Sequence, residues 1–104
     1  MDRNKVVLQI SNFLIEAQSM IDNYMGHNFP NLDRSVLNLE FGKKYAKVYK
    51  TDMSGRSIFC FIDLTNGDIL KAATWKQPAK HARGNIFLDN PTSALTPYGA
   101  KYLR

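Results

Sequence analysis

Apolar positions in the first quarter of the chain recur at helical spacing. Val6, Val7, Ile10, Phe13, Leu14, Ala17, Met20, Ile21 and Tyr24 follow an i, i+3, i+4, i+7 pattern, which predicts one amphipathic helix over residues 4–25 with a stripe wide enough to lie on a sheet. Asp2 or Asn4 can cap its start and Gly26 can end it. A stripe of this kind, containing Met and aromatic residues, reads as core rather than as a groove for a partner helix.

After a connection over residues 27–35 that contains Phe29-Pro30, the apolar period drops from about 3.6 to about 2. Leu37, Leu39 and Phe41 share one face of a strand over 36–41, and Gly42 breaks it. Residues 45–50 alternate again, with Ala46 and Val48 opposite Tyr45, Lys47 and Tyr49. A turn over 51–55 leads into the most β-prone run, 56–64, with Ile58, Phe59, Phe61 and Ile62. Thr65-Asn66-Gly67-Asp68 is a strong hairpin signal, because Asn-Gly takes the positive φ angles of a type I′ turn. Residues 69–75 form the return strand.

Beyond Lys76 the pattern loses regularity. Residues 77–84 suit a single helical turn, with Pro78 at a first helical position and Gly84 just past the end. A short strand over 85–88 and turns at 89–91 and 96–99 complete the reading. The expected fold is α+β: one long N-terminal amphipathic helix packed on an antiparallel β-meander sheet of three to five strands. All 104 residues then form one domain, with the helix at 4–25, the sheet and a basic loop at 36–88, and a tail at 89–104.

Composition agrees with a packed domain. A 44% hydrophobic content argues against disorder. A single cysteine, Cys60, excludes an intrachain disulfide and fits a reducing compartment. No run approaches the ~20 apolar residues of a membrane span, and charged and polar residues interrupt the N-terminus. The expected location is the cytoplasm, with no membrane partner.

Charge changes the picture more. Net charge is +5, and it is unevenly placed. Residues 1–42 hold three basic groups against five acids, a net −2, whereas residues 43–104 hold eleven against four, a net +7. A solubilising pattern would explain this, and so would an electrostatically steered anion binder. Residues 71–85 carry the sharpest version: Lys71, Lys76, Lys80 and Arg83, with Trp75, His81, Gly84 and Asn85, and no acid. Cations neutralise phosphates and release counterions, Trp offers a stacking face, and Asn85 or Gln77 can read polar edges. A helical turn at Pro78 and Gly84 would add backbone N–H groups for an anion. Trp75 alone reads equally as the cap of a small core.

A second basic group is Lys43, Lys44, Lys47, Lys50 and Arg56. Lys43, Tyr45, Lys47 and Tyr49 fall on one strand face, so cations interleave with aromatics as on a single-strand-binding sheet. Lysines there also guard an exposed edge against pairing. Enzyme signatures are weak. His27, His81 and Cys60 lack metal-ligand spacing, the glycines are isolated, and Asp63 and Asp68 flanking a hairpin are explained by turn chemistry. His81 beside Lys80 and Arg83 is the one candidate general base for phosphodiester cleavage.

Several strings resemble a family of small uncharacterised proteins encoded by tailed bacteriophages. They are Tyr45-Ala46-Lys47-Val48, Arg56-Ser57, Cys60-Phe61-Ile62-Asp63, residues 66–73, Trp75-Lys76, residues 78–87 and residues 98–104. The resemblance covers roughly the last 60 residues and stops short of the helix. It implies a phage protein at work in the host bacterial cytoplasm, where such proteins bind nucleic acid or neutralise a host defence.

The functional expectation is a non-catalytic nucleic-acid binder with no cofactor. It would use Lys71, Trp75, Lys76, Lys80, His81, Arg83, Gly84 and Asn85, joined by Lys47 and Arg56. The alternative is an anti-defence protein that sequesters a nucleotide signal or inhibits a host protein, working as a homo-oligomer.

Overall fold

The computed structural model describes residues 3–28, 35–52, 55–88, 95–96 and 99–100. Helix α1 (Arg3–Asn28) is followed by β1 (Val36–Phe41), β2 (Tyr45–Asp52), β3 (Gly55–Asp63), β4 (Asp68–Ala72) and β5 (Pro78–Asn85), and then by two short strands, β6 (Leu95–Thr96) and β7 (Gly99–Ala100). The first five strands form one antiparallel meander in the order β1-β2-β3-β4-β5, and β6 pairs with β7. One helix packed on an antiparallel open sheet is the α+β arrangement the periodicities predict.

The helix packs as its stripe dictates. Val6, Ile10, Phe13, Ala17 and Ile21 are all buried, and they meet Leu37, Ala46, Val48, Cys60, Ile62, Ile69 and Ile86 in a single core. Strand register explains why one face of the sheet supplies that core. Ala46 pairs with Ile62, Ile62 with Ile69, and Val48 with Cys60, so the small and branched residues fall in rows on the helix side. A register shift between Val48 and Tyr49 admits Phe59 to the same core.

Side-chain amides latch helix to sheet. Gln18 accepts from the Leu37 N–H at 2.8 Å and donates to the Ser35 carbonyl at 2.9 Å, and Gln9 donates to the Ile86 carbonyl at 3.0 Å. Gln18 therefore occupies part of the outer edge of β1, where an unpaired backbone would otherwise invite strand addition.

Four local expectations differ from the structure. The helix runs on past Gly26 to Asn28, because Met25 packs against the core and outweighs the poor helix propensity of glycine. The Asn66-Gly67 turn is not type I′: Gly67 alone takes a positive φ, +82°, and its N–H donates to the Asp63 carbonyl at 2.8 Å. A Cβ on Gly67 would lie 2.8 Å from the Phe87 ring and 2.9 Å from Ile86, so close packing as well as φ requires glycine there. Strand β4 ends at Ala72, which leaves Trp75 in the connection to β5 rather than at a strand end.

The fourth difference is the largest. Residues 78–85 are a strand, not a helical turn followed by a short strand. They pair with β4 through Asp68–Asn85, Ile69–Gly84, Leu70–Ala82 and Ala72–Pro78. Satisfying the open edge of β4 along this length outweighs a single isolated turn, and Pro78 at the first position of the strand is compatible with either. The Asp2 cap, most of the 27–35 connection, the centre of the 51–55 turn, the 89–91 turn and the ending 101–104 lie outside the described residues.

Candidate nucleic-acid interface

The face of the sheet turned away from the helix carries the opposite residue types. The row Glu40–Lys47–Phe61–Leu70–Ala82 runs across all five strands. Tyr45 and Tyr49 flank Lys47 on β2, and Arg56 lies opposite Thr51 on β3. Alternation puts the β2 side chains together, since residues two apart on a strand share a face, and the register shift at Val48/Tyr49 turns Arg56 of β3 onto that face as well.

What alternation does not reveal is the path of residues 73–77. Thr74 Oγ1 accepts from the N–H groups of Lys76 and Gln77 at 3.2 and 3.1 Å. The Gln77 carbonyl accepts from the N–H groups of Ala73 and Thr74 at 3.0 Å each. This tight, Thr-braced turn folds Trp75 back towards β2. The Trp75 ring centroid lies 5.8 Å from that of Tyr49, with Lys47 Nζ 4.5 Å and Arg56 Cζ 5.3 Å from the indole centroid. Arg56 also lies 5.6 Å from the Tyr49 centroid. Beside this cluster Tyr45 meets Phe61 edge to face at 6.3 Å, with Lys44 Nζ 5.4 Å from its centroid.

Burial shows that the turn forms part of this face. Phe61 is 3% exposed and Leu70 6%, yet neither belongs to the helix-side core. Two adjoining clefts flank them and share Tyr45 and Lys76. The first is lined by Glu40, Lys43, Lys44 and Lys47 with Phe61. The second, of about 570 Å³, is lined by Asp63, Asp68 and Leu70 together with Gln77, Lys80 and Ala82. Trp75 remains 36% exposed, so it is no core cap.

The two basic groups read from the sequence therefore meet. Trp75, Lys76 and Lys80 come from the 71–85 segment, Lys47 and Arg56 from the strands, and they surround one aromatic floor. Lys47 Nζ also lies 3.9 Å from Glu40. Other predicted residues fall elsewhere. Lys71 is half-buried on β4 and has an interaction partner within the molecule. His81 is exposed on β5 and lines neither cleft, and Arg83 donates through Nη1 to the His81 carbonyl. Gly84 lies in the ladder opposite Ile69, so the backbone anion cradle expected of a helical turn is not formed.

Asn85 is engaged within the fold. Its amide donates to the Asn66 carbonyl at 2.9 Å and to Asp68 Oδ1 at 3.0 Å, and accepts from the Phe87 N–H at 2.8 Å. That set of bonds ties β5 to the 64–67 turn and accounts for the residue structurally. Tyr45, Tyr49 and Lys44 stand where the expected ligand contacts converge. Their signal in the sequence was the period-2 interleaving of aromatics and cations on β2.

Cys60 is fully buried and burial pushes its thiol well above the ordinary range, so it is not a nucleophile. Among the described residues no three His, Cys, Asp or Glu side chains are arranged to hold a metal ion. No helix among them is long and apolar enough to cross a membrane.

A family of unknown function (DUF7717) matches the chain over residues 3–97. The chain belongs to that family. Its match begins at the helix and runs through all five strands of the main sheet, so the family unit includes α1, which the phage resemblance does not reach. No curated protein and no solved structure matches the chain.

Proposed function

We propose that this protein binds single-stranded nucleic acid, without catalysis, on the open face of its sheet. The observation that carries the reading is the convergence of Trp75 with Tyr49, Lys47 and Arg56, contributed by three separate parts of the chain. Aromatic faces take unstacked bases regardless of sequence, and lysine and arginine beside them track the phosphates. Bases in a duplex are already stacked on each other, so the platform favours single strands. Lys44, Lys47, Arg56, Lys76 and Lys80 border the aromatic residues and clefts. Five phosphate contacts correspond to a slope of log affinity against log salt of about −3.5 for a single strand.

Titration of labelled single- and double-stranded oligonucleotides at two salt concentrations tests this. The expected result is tighter binding of the single strand, weakening steeply with salt. No binding at low salt, or binding indifferent to salt, overturns it.

The second reading is capture of a small nucleotide, as an anti-defence protein of a phage would achieve in the host cytoplasm. It is favoured by the cleft of about 570 Å³ beside Lys76 and Lys80, which falls in the size range of small-molecule sites. A saturable, stoichiometric rise in melting temperature with cyclic oligonucleotides, together with weak binding of longer strands, selects it over the first.

A further inference from the structure

We infer that the cleft between Tyr45 and β5 selects bases that carry an exocyclic amino group, so that the open face prefers cytosine-bearing to thymine-bearing strands. This rests on the single-strand reading above and concerns the same face. The observation behind it is an anomaly in a cationic surface: two carboxylates, Asp63 and Asp68, line the cleft together with Tyr45, Leu70, Lys76 and Lys80. They would weaken phosphate binding if the surface only recognised charge.

Turn chemistry accounts for just part of each. Asp63 Oδ1 accepts from the Thr65 N–H at 2.8 Å and the Thr65 hydroxyl at 2.5 Å. Asp68 Oδ1 accepts from the Asn85 amide at 3.0 Å. For both side chains, every hydrogen bond among the described residues falls on Oδ1, and no described cation lies within ion-pair distance of either. Each therefore keeps an acceptor oxygen, Oδ2, beyond what the fold uses.

Position supplies the rest. Tyr45 and Asp63 are register partners across β2 and β3, and partners on one face stand about 5 Å apart at Cβ. The Tyr45 ring meets Phe61 with its plane steeply inclined, at 75°, and stays half-exposed. A base stacked on Tyr45 would turn an edge towards the carboxylates, while Lys76 and Lys80 meet its phosphates. A carboxylate accepts from the N4 amino group of cytosine. At the same place thymine presents the O4 carbonyl, a second acceptor, and the pair repel.

The test compares oligo(dC) with oligo(dT) of equal length at neutral pH and low salt, by fluorescence anisotropy on the full chain. Length, charge and ring size are matched, so phosphate contacts and stacking are nearly constant. The expected result is binding about tenfold tighter for oligo(dC), the scale of one hydrogen bond to a charged group. In Asp63→Asn and Asp68→Asn the side-chain carbonyl can still accept the turn bonds, while the added amide donates to thymine O4. Each should narrow the ratio, with melting temperature reported alongside so that a variant that fails to fold is replaced by the other. Equal affinity of the unaltered protein for both strands overturns this inference and leaves the single-strand reading standing. An undiminished ratio in both folded variants also overturns it. Failure to bind either strand removes the single-strand reading and this inference with it.

Discussion

The two faces of the sheet use the same strands for opposite purposes. On the helix side, Ala46, Val48, Cys60, Ile62 and Ile69 carry no exposed surface, and their rows fit the apolar stripe of α1. On the far side the rows hold Tyr45, Lys47, Tyr49, Phe61 and Leu70, and the cover is a five-residue turn rather than a helix. A helix excludes water across a whole face, so that side can be wholly aliphatic. A short turn cannot, so there Phe61 and Leu70 pack among amphipathic residues, Tyr45, Lys47 and Tyr49, that keep part of their surface exposed. The helix face holds the fold together. The open face holds aromatic and cationic groups in place while Tyr45, Tyr49 and Trp75 keep part of their surface exposed.

The sharpest test of this contrast is a pair of truncations. Phe13→Ala, which removes a fully buried ring beneath the helix, should lower unfolding stability by about 3–5 kcal/mol in denaturant titrations. Trp75→Ala should change stability by less than about 1 kcal/mol, as a partly exposed side chain. Equal losses would show that Trp75 is as structural as the helix-side core and that the faces are not divided as described.

Gly67→Ala should cost about 1–3 kcal/mol, because it combines an unfavourable φ with contact against Phe87 and Ile86. The effect belongs to the turn between β3 and β4, where that turn packs on residues 86–87, and a thermal melt measures it. For binding, Trp75→Ala should weaken single-strand affinity roughly tenfold, given about 1–3 kcal/mol per stacked base. Titration against intact and variant protein at one salt concentration reads this out.

Gln18→Ala leaves the Leu37 N–H and the Ser35 carbonyl without their partner and should cost roughly 1–2 kcal/mol. It should leave oligonucleotide affinity unchanged, since the latch lies on the helix side. The smallest effects concern single charges. Lys47→Gln and Arg56→Gln should each reduce the salt slope by about 0.7 while shifting melting temperature little. A variant that weakens binding at every salt concentration alike would mean that its cation orders Trp75 rather than meets a phosphate.

The helix and the first two strands were legible because each repeats one period, and the third because residues 58–62 form an unbroken β-prone run. Val6 through Ile21 specify a face at helical spacing, and Leu37 through Tyr49 specify faces at strand spacing, without reference to anything distant. Residues 77–84 were not legible in that way. Their apolar content is too low to show a period, and Pro78 and Gly84 fit the ends of a turn as well as a strand. They form β5 because β4 offers an open edge to pair with.

Within the candidate site, the residue types and the β2 face could be read from the sequence alone, and so could the cluster of cations around Trp75. The grouping could not. Lys47, Arg56 and Trp75 stand far apart along the chain, and nothing local in the sequence of 73–77 indicates that the turn bends over the open face instead of away from it. The packing of Trp75 against Tyr49, Lys47 and Arg56 establishes that direction. The Asn85 amide likewise looked available for a ligand until β5 brought it against Asp68 and Asn66. Periodicity reports which side of an element is apolar, a property of neighbours in the chain. Contacts between elements depend on which edges remain open after the first pairings form, and that is a property of the assembled structure.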